Sequence, residues 1–141
     1  KTRKTFPVLD GVRYVVPGDR ALMEPDGRLS LLGRDSVTIN SGGEKIFAEE
    51  VELALKHHPS VYDCVVCGTP SKRWGSQVTA IVQLREGAEA SEDELRAAAN
   101  EHITRYKLPK VFVFVAEIVR APSGKADYRW AKQTAVEALG L

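Results

Sequence analysis

The chain has 141 residues, 43% hydrophobic and 28% charged, and its 20 basic side chains against 19 acidic ones leave a formal charge of +1. So even a balance leaves no electrostatic footprint for nucleic acid, and apolar runs of only a few residues exclude a membrane-spanning helix. A chain of this size suits one domain, or one domain with part of another, burying roughly two-thirds of its unfolded surface. The opening KTRKTFPVLDG has neither an apolar signal core nor an initiator Met, which gives the expectation of a cytoplasmic protein and of a piece of something longer.

In chain order, residues 1–35 read as strand and turn: VRYVV, the turn PGD, RALME, the turn PDG, then RLSLLG. Asp26-Gly27 between two β-rich runs predicts a hairpin. The next segment, SVTINSGGEKIF, gives short extended pieces around Gly42 and Gly43, residues that accept positive φ or a close approach to the backbone. From Ala48 the period changes. Phe47, Val51, Ala54, Leu55 and His58 share one helical face that Pro59 ends, and Glu49, Glu50 and Glu52 lie at the start, where the helix dipole favours them.

VYDCVVCGT and SQVTAIVQL follow as strands joined by the polar loop PSKRWG. Cys64 and Cys67 sit three apart on the first of them, so they face opposite ways and pack as small apolar residues rather than as a metal or disulfide pair. Ser91 with Glu94 forms a capping box, and Leu95, Ala98, Ala99, His102 and Ile103 give a second helix its apolar stripe. KVFVFVAEI reads as a third strand. Asp127 caps a last helix whose inner face is Ala131, Ala135, Ala138 and Leu139, with Gly140 at its end. The fold expected is α+β: a small sheet flanked by about three helices over 36–141, preceded by a β-hairpin segment, 1–35, from the end of a larger domain.

Hydrolytic chemistry finds no support, since no Ser, His and Asp arrangement with a nucleophile elbow and no carboxylate pair emerges. His57, His58 and His102 read as helix-end and helix-face residues. SGGEK departs from the P-loop spacing, although a glycine turn before a lysine can cradle phosphate. Lys72 and Arg73 beside Trp74 suggest an exposed basic loop. Asp19 and Arg34 end strand-like stretches, a frequent address for ligand contacts. Lys125 follows the turn Ala121–Gly124, in which Pro fixes the second φ and Gly closes the fourth position. No catalytic partner lies within ten residues of it, so any work it does lies elsewhere in space.

Taken in order, RYVVPGDRA, DGRLSLLGRDSVTINSGGEKIFAEEVE and PSGKADYR resemble the C-terminal part of the acyl-CoA synthetases of the adenylate-forming enzyme superfamily, over nearly the whole chain. The resemblance implies a two-step reaction: a carboxylic acid attacks ATP to give an acyl-adenylate and pyrophosphate, then the thiol of coenzyme A displaces AMP. It also implies a missing N-terminal domain of the same polypeptide, carrying the phosphate loop and the acyl pocket, against which a mobile small domain swings. Mg2+ is expected with ATP in the intact enzyme.

By the same matching, Lys125 resembles the adenylation lysine, Asp19 the ribose-binding aspartate and Arg34 the nucleotide-contacting arginine. Gly43 falls on the glycine-rich strand lining the pantetheine tunnel, and Lys45 where a basic residue reaches phosphate or coenzyme. Lys72 and Arg73 offer weaker basic contacts for CoA. At the hinge, where the family most often has Asp or Lys, this chain has Ser36. No metal ligand is expected within it. The wording of the motifs leans toward fatty or steroid-derived acids. Two alternatives remain in view: loading of a carrier protein in place of CoA, and a non-enzymatic α+β interaction module.

Overall fold

A computed structural model describes residues 2–141. One helical turn, α1 (Thr2–Thr5), precedes two antiparallel hairpins, β1 (Val8–Leu9) with β2 (Val12–Arg13) and β3 (Asp19–Met23) with β4 (Leu29–Arg34). The first turns at Asp10-Gly11, both at positive φ, just ahead of VRYVV, of which only Val12–Arg13 pairs as strand. Strand pairing ends at Arg13, yet the Tyr14 and Val16 amides still donate to Pro7 and Thr5 carbonyls; Pro17, with no N–H, ends the ribbon. The second hairpin turns at Asp26-Gly27 as expected, and a bulge sets Gly33 opposite Arg20 and Leu31 opposite Ala21. This leading ribbon covers little of its own apolar surface: Val8, Leu9, Val15, Met23, Leu29 and Leu31 are all more than half exposed.

The remainder forms its core around a three-stranded sheet, order β7-β8-β9, with β7 (Val61–Ser71) antiparallel to β8 (Gly75–Leu84) and β9 (Val111–Phe114) parallel to β8. A parallel neighbour needs a crossover, which α3 (Glu92–Asn100) supplies. Beside this sheet lies the hairpin β5 (Thr38–Ser41) and β6 (Glu44–Phe47), running directly into α2 (Ala48–Leu55). One face of the sheet packs on α2 and α3 through Val51, Leu55, Val66, Ala80, Leu95 and Ala99. The other packs on α4 (Tyr128–Leu139) through Val65, Cys67, Ile81, Ala131 and Ala135. Burying the Val, Leu and Ile side chains among these contributes about 1.5–3 kcal/mol each, so the sheet's two apolar faces hold the three helices on it.

The expected α+β fold and its three helices are present, and Cys64 and Cys67 do fall on opposite faces. The capping box is formed, with the Ser91 amide donating to Glu94 Oε2 at 2.7 Å and the Glu94 amide to Ser91 Oγ at 3.3 Å. Asp127 caps α4 by accepting from the Arg129 and Trp130 amides, each at 3.0 Å.

Five expectations need correction, the first being α2, which ends at Leu55 well before Pro59 and leaves Phe47 on β6 and His58 beyond the helix. The β7–β8 strands run on through Ser71 and from Gly75, so the loop shrinks to Lys72–Trp74. The third strand stops at Phe114; after the Val115 amide has bonded Val82, the chain leaves the ladder and the Ile118 amide is taken by the Gln83 side chain at 2.9 Å. His102 lies past the end of α3, exposed, its ring 3.9 Å from that of His57, not on an inner face. Ala138 is exposed as well, because the last turn of α4 lies beyond the cluster that Ala131 and Ala135 join.

Candidate functional site

The strand register brings together two residues that the sequence places fifteen apart. Asp19 opens β3, Arg34 closes β4, and they pair directly, with Arg34 Nε 3.2 Å from Asp19 Oδ1. One step further on, Arg20 Nε donates to Asp35 Oδ1 at 2.6 Å. That bond with Arg20, aided by the charge of Lys45, holds the Asp35 carboxyl below its ordinary range. Both pairs are exposed ion pairs and contribute little to stability.

Ser36 is exposed in a 3-10 turn, Asp35–Val37, which joins β4 to β5. Just before it, Gly33 adopts φ 131° and lies so near α2 that a Cβ there would run into Glu49 Oε2. Only glycine meets both demands. A cavity of about 410 Å³ opens beside the turn, between β5, the middle of β7 and the start of α4, with Ser36, Asn40, Cys67, Tyr128 and Lys132 on its walls.

Gly42 and Gly43 form the two-residue turn between β5 and β6, with φ 59° and 91°, the left-handed pair that twists a hairpin correctly. They are not equivalent. A Cβ on Gly42 would come 2.9 Å from the Trp74 ring, and its amide donates to the Trp74 carbonyl at 3.0 Å, whereas a Cβ on Gly43 would meet open space. The Trp74 contact therefore joins the glycine turn to the loop Lys72–Trp74, and Arg73 lies over the Trp74 ring at 4.6 Å. Gly43, Lys72 and Arg73 thus share one edge. Lys45 is exposed on β6 opposite Asn40, and its charge is felt at Asp35.

Lys125 stands apart from all of these. It is exposed, and its Nζ makes no hydrogen bond or ion pair with any described residue. Its backbone, in contrast, is fixed. The Gly124 amide donates to Ala121 O at 2.8 Å and the Ala121 amide to Lys125 O at 2.9 Å, while Arg120 and Ala126 pair as an isolated bridge. The turn expected at 121–124 is there, with Gly124 at φ 77°.

One residue escaped the sequence reading. Glu52 shares the start of the helix with Glu49 and Glu50, where the dipole alone gives no reason for burial, yet it is only 8% exposed. Its Oε1 accepts from the Val66 amide at 2.9 Å, and the Tyr128 hydroxyl is turned toward it. Burial pushes its carboxyl up to about 7, the Val66 bond opposing and Glu49 reinforcing. The available signal was spacing: four residues after Ala48 and one after Val51, it lies on the buried stripe of α2. Burial likewise pushes the thiols of Cys64 and Cys67 up, to about 12 and about 11.

Residues 50–125, more than half of the chain, match the family model of the AMP-binding enzyme C-terminal domain, and the chain belongs to that family. It is 62% identical over 136 residues to the medium-chain acyl-CoA ligase Mig of Mycobacterium avium, covering 96% of this chain and 25% of that protein. It is 53% identical over 132 residues to the 3-oxocholest-4-en-26-oate–CoA ligase of Rhodococcus rhodochrous, covering 94% of this chain and 24% of the relative. Among solved structures, the o-succinylbenzoate CoA synthetase of Bacillus subtilis, in complex with its acyl-adenylate intermediate, superposes with a TM-score of 0.76 at 33% identity, over 84% of this chain and 24% of that one. The chain thus spans about a quarter of the length of the relatives it matches.

Proposed function

We propose that this chain is the C-terminal part of an AMP-forming acyl-CoA ligase acting on fatty or steroid-derived acids. The observation that carries the reading is the 62% identity to a medium-chain acyl-CoA ligase over 136 residues, a span that takes in every residue from Asp19 to Lys125. In the first step the acid's carboxylate attacks the α-phosphorus of ATP and expels pyrophosphate. In the second the thiol of CoA attacks the acyl carbon and expels AMP.

The geometry supports a division of labour between these steps. Asp19, braced by Arg34, offers a carboxylate that accepts two hydrogen bonds from ribose hydroxyls, and Arg34 offers its guanidinium to the nucleotide. Lys125, unpaired, supplies a charge to the acyl carboxylate and the phosphate oxygens. Gly43 leaves open space at a turn where a pantetheine arm would pass, and Lys45, Lys72 and Arg73 offer charge to CoA or nucleotide phosphates. Residues 1–35 belong to the preceding domain in this reading, their exposed ribbon lying against it, and 36–141 move about Ser36. Mg2+ is assigned to the ATP phosphates; among the described residues no three His, Cys, Asp or Glu side chains converge to hold a metal ion.

The direct test is the intact protein with ATP, CoA and a panel of medium-chain, long-chain and steroid carboxylic acids. Acid-dependent pyrophosphate release followed by a CoA thioester is the expected result, and thioester formation only on a carrier-protein phosphopantetheine would overturn the choice of CoA. Gly43→Val is expected to slow thioester formation from supplied acyl-adenylate by about tenfold or more, since it puts a branched chain where φ is positive and the arm must pass. Adenylation should survive it, and an unaltered thioester rate would remove Gly43 from the tunnel. Ser36→Pro is expected to slow the full cycle by restricting the backbone at the pivot. An unchanged thioester rate would show that the pivot lies elsewhere.

A further inference from the structure

An unpaired lysine on an exposed turn can deliver its charge to a distant site only if the turn itself is held, and the structure shows what holds it. Arg120, the residue just before the turn, reaches back to β7 with a two-pronged ion pair: Nε donates to Asp63 Oδ2 at 2.7 Å and Nη2 to Asp63 Oδ1 at 2.6 Å. The remaining prong, Nη1, donates to the carbonyl of Gly124 at 3.2 Å, the residue immediately before Lys125. Asp63 is itself fixed, since Nζ of Lys56, the residue just past α2, lies 2.8 Å from its Oδ1, and the Cys64 amide donates to the same oxygen at 2.9 Å. One planar guanidinium therefore links the central sheet to the peptide that precedes Lys125. A lysine ammonium cannot reproduce three donors in that fixed fork.

The burial is graded to match. Asp63 is 14% exposed at its side chain and Arg120 31%, while Lys125 is exposed. The brace thus sits in the half-buried layer, where a charged bidentate pair is stronger than one in open solvent, and it stops one residue short of the lysine it would aim.

We infer that Arg120, fixed by Asp63, is a positioning residue for the adenylation step, holding the turn so that Lys125 is carried to the acyl-phosphate centre in one geometry. The inference rests on the reading of Lys125 as the adenylation lysine. Arg120 touches no substrate in this scheme and acts entirely through the Gly124–Lys125 backbone. It also confines the effect to one half of the reaction, because the thioester step does not need Lys125.

The test uses the intact protein with the substitutions Arg120→Gln, Arg120→Lys, Asp63→Asn, Lys125→Ala and the double change Arg120→Gln/Lys125→Ala. Acid-dependent ATP/pyrophosphate exchange is measured separately from thioester formation on supplied acyl-adenylate. For Arg120→Gln the exchange kcat is expected to fall by about 10- to 100-fold, the scale on which an ångström of misplacement acts, with KM for ATP and the thioester rate within about twofold. Arg120→Lys should recover part of the loss, and Asp63→Asn should fall between them. In the Lys125→Ala background, Arg120→Gln should cost nothing further, since the two act as one unit.

Exchange retained in Arg120→Gln while Lys125→Ala abolishes it would overturn the brace and leave the lysine's role standing. Equal losses in both half-reactions, or a further loss in the double variant, would show Arg120 acting on the domain as a whole and would overturn it too. Exchange retained in Lys125→Ala would remove the lysine's role and, with it, this inference.

Discussion

Lys125→Ala in the intact protein is expected to lower acid-dependent ATP/pyrophosphate exchange by on the order of 10²- to 10³-fold, the loss typical of removing one well-placed charge-stabilising group. Thioester formation from supplied acyl-adenylate should remain near the parent rate. The reasoning is structural as well as electrostatic. The Lys125 ammonium has no partner to leave among the described residues, so its removal exposes no buried charge and the fold should stand. Its backbone hydrogen bonds at the turn do not depend on the side chain. Loss of exchange is then attributable to the missing charge, and equal activity of parent and variant in both assays would mean that the turn serves only to close the chain between Ile118 and α4.

The second large effect concerns stability. Glu52 has a folded carboxyl raised from 4.5 to about 7 by burial. Through that window the native state holds a proton that the unfolded chain has released. Its contribution is therefore fully present below about pH 4.5 and lost as pH rises through about 7. At 1.36 kcal/mol per pK unit the loss is about 3 kcal/mol, a large part of a small domain's stability. The acids whose carboxyls are held low, Asp35, Asp63 and Glu94, titrate below this window, so they leave the slope to Glu52.

Glu52→Gln keeps an oxygen for the Val66 amide and removes the charge. It should flatten stability against pH between about 5 and 8, and raise it at the upper end, as read by urea unfolding of the 141-residue chain followed through Trp74 and Trp130. Identical slopes in parent and variant would show that Glu52 is ionised without penalty.

Much of the fold was legible from the sequence because local rules and tertiary packing agreed. Asp26-Gly27, the Ser91–Glu94 box, the Asp127 cap and the opposed cysteines depend on spacing alone, and each stands as its spacing implied. The misreadings came where tertiary contacts decided. Nothing near Phe114 in sequence says that Gln83 will capture the Ile118 amide. Nothing near Glu52 says that the Val66 amide will turn toward it. The family motif singled out Asp19, Arg34, Gly43 and Lys125 one by one. The strand register then disclosed that the first two form a pair, and the turn's hydrogen bonds that Lys125 is free at its tip yet fixed at its root.

Cys64 and Cys67 carry an experimental consequence. Both thiols are buried and pushed far above neutrality, so they stay protonated and react slowly with maleimides. A cysteine introduced in place of Ser123, at the exposed turn, would be the one labelled position within these residues. A fluorophore or spin label there, paired with a second on the preceding domain, would make the 141-residue chain a ruler for the swing proposed above. Distances populated in the presence of ATP and of CoA could then be read directly, without perturbing the two sulfur atoms already inside.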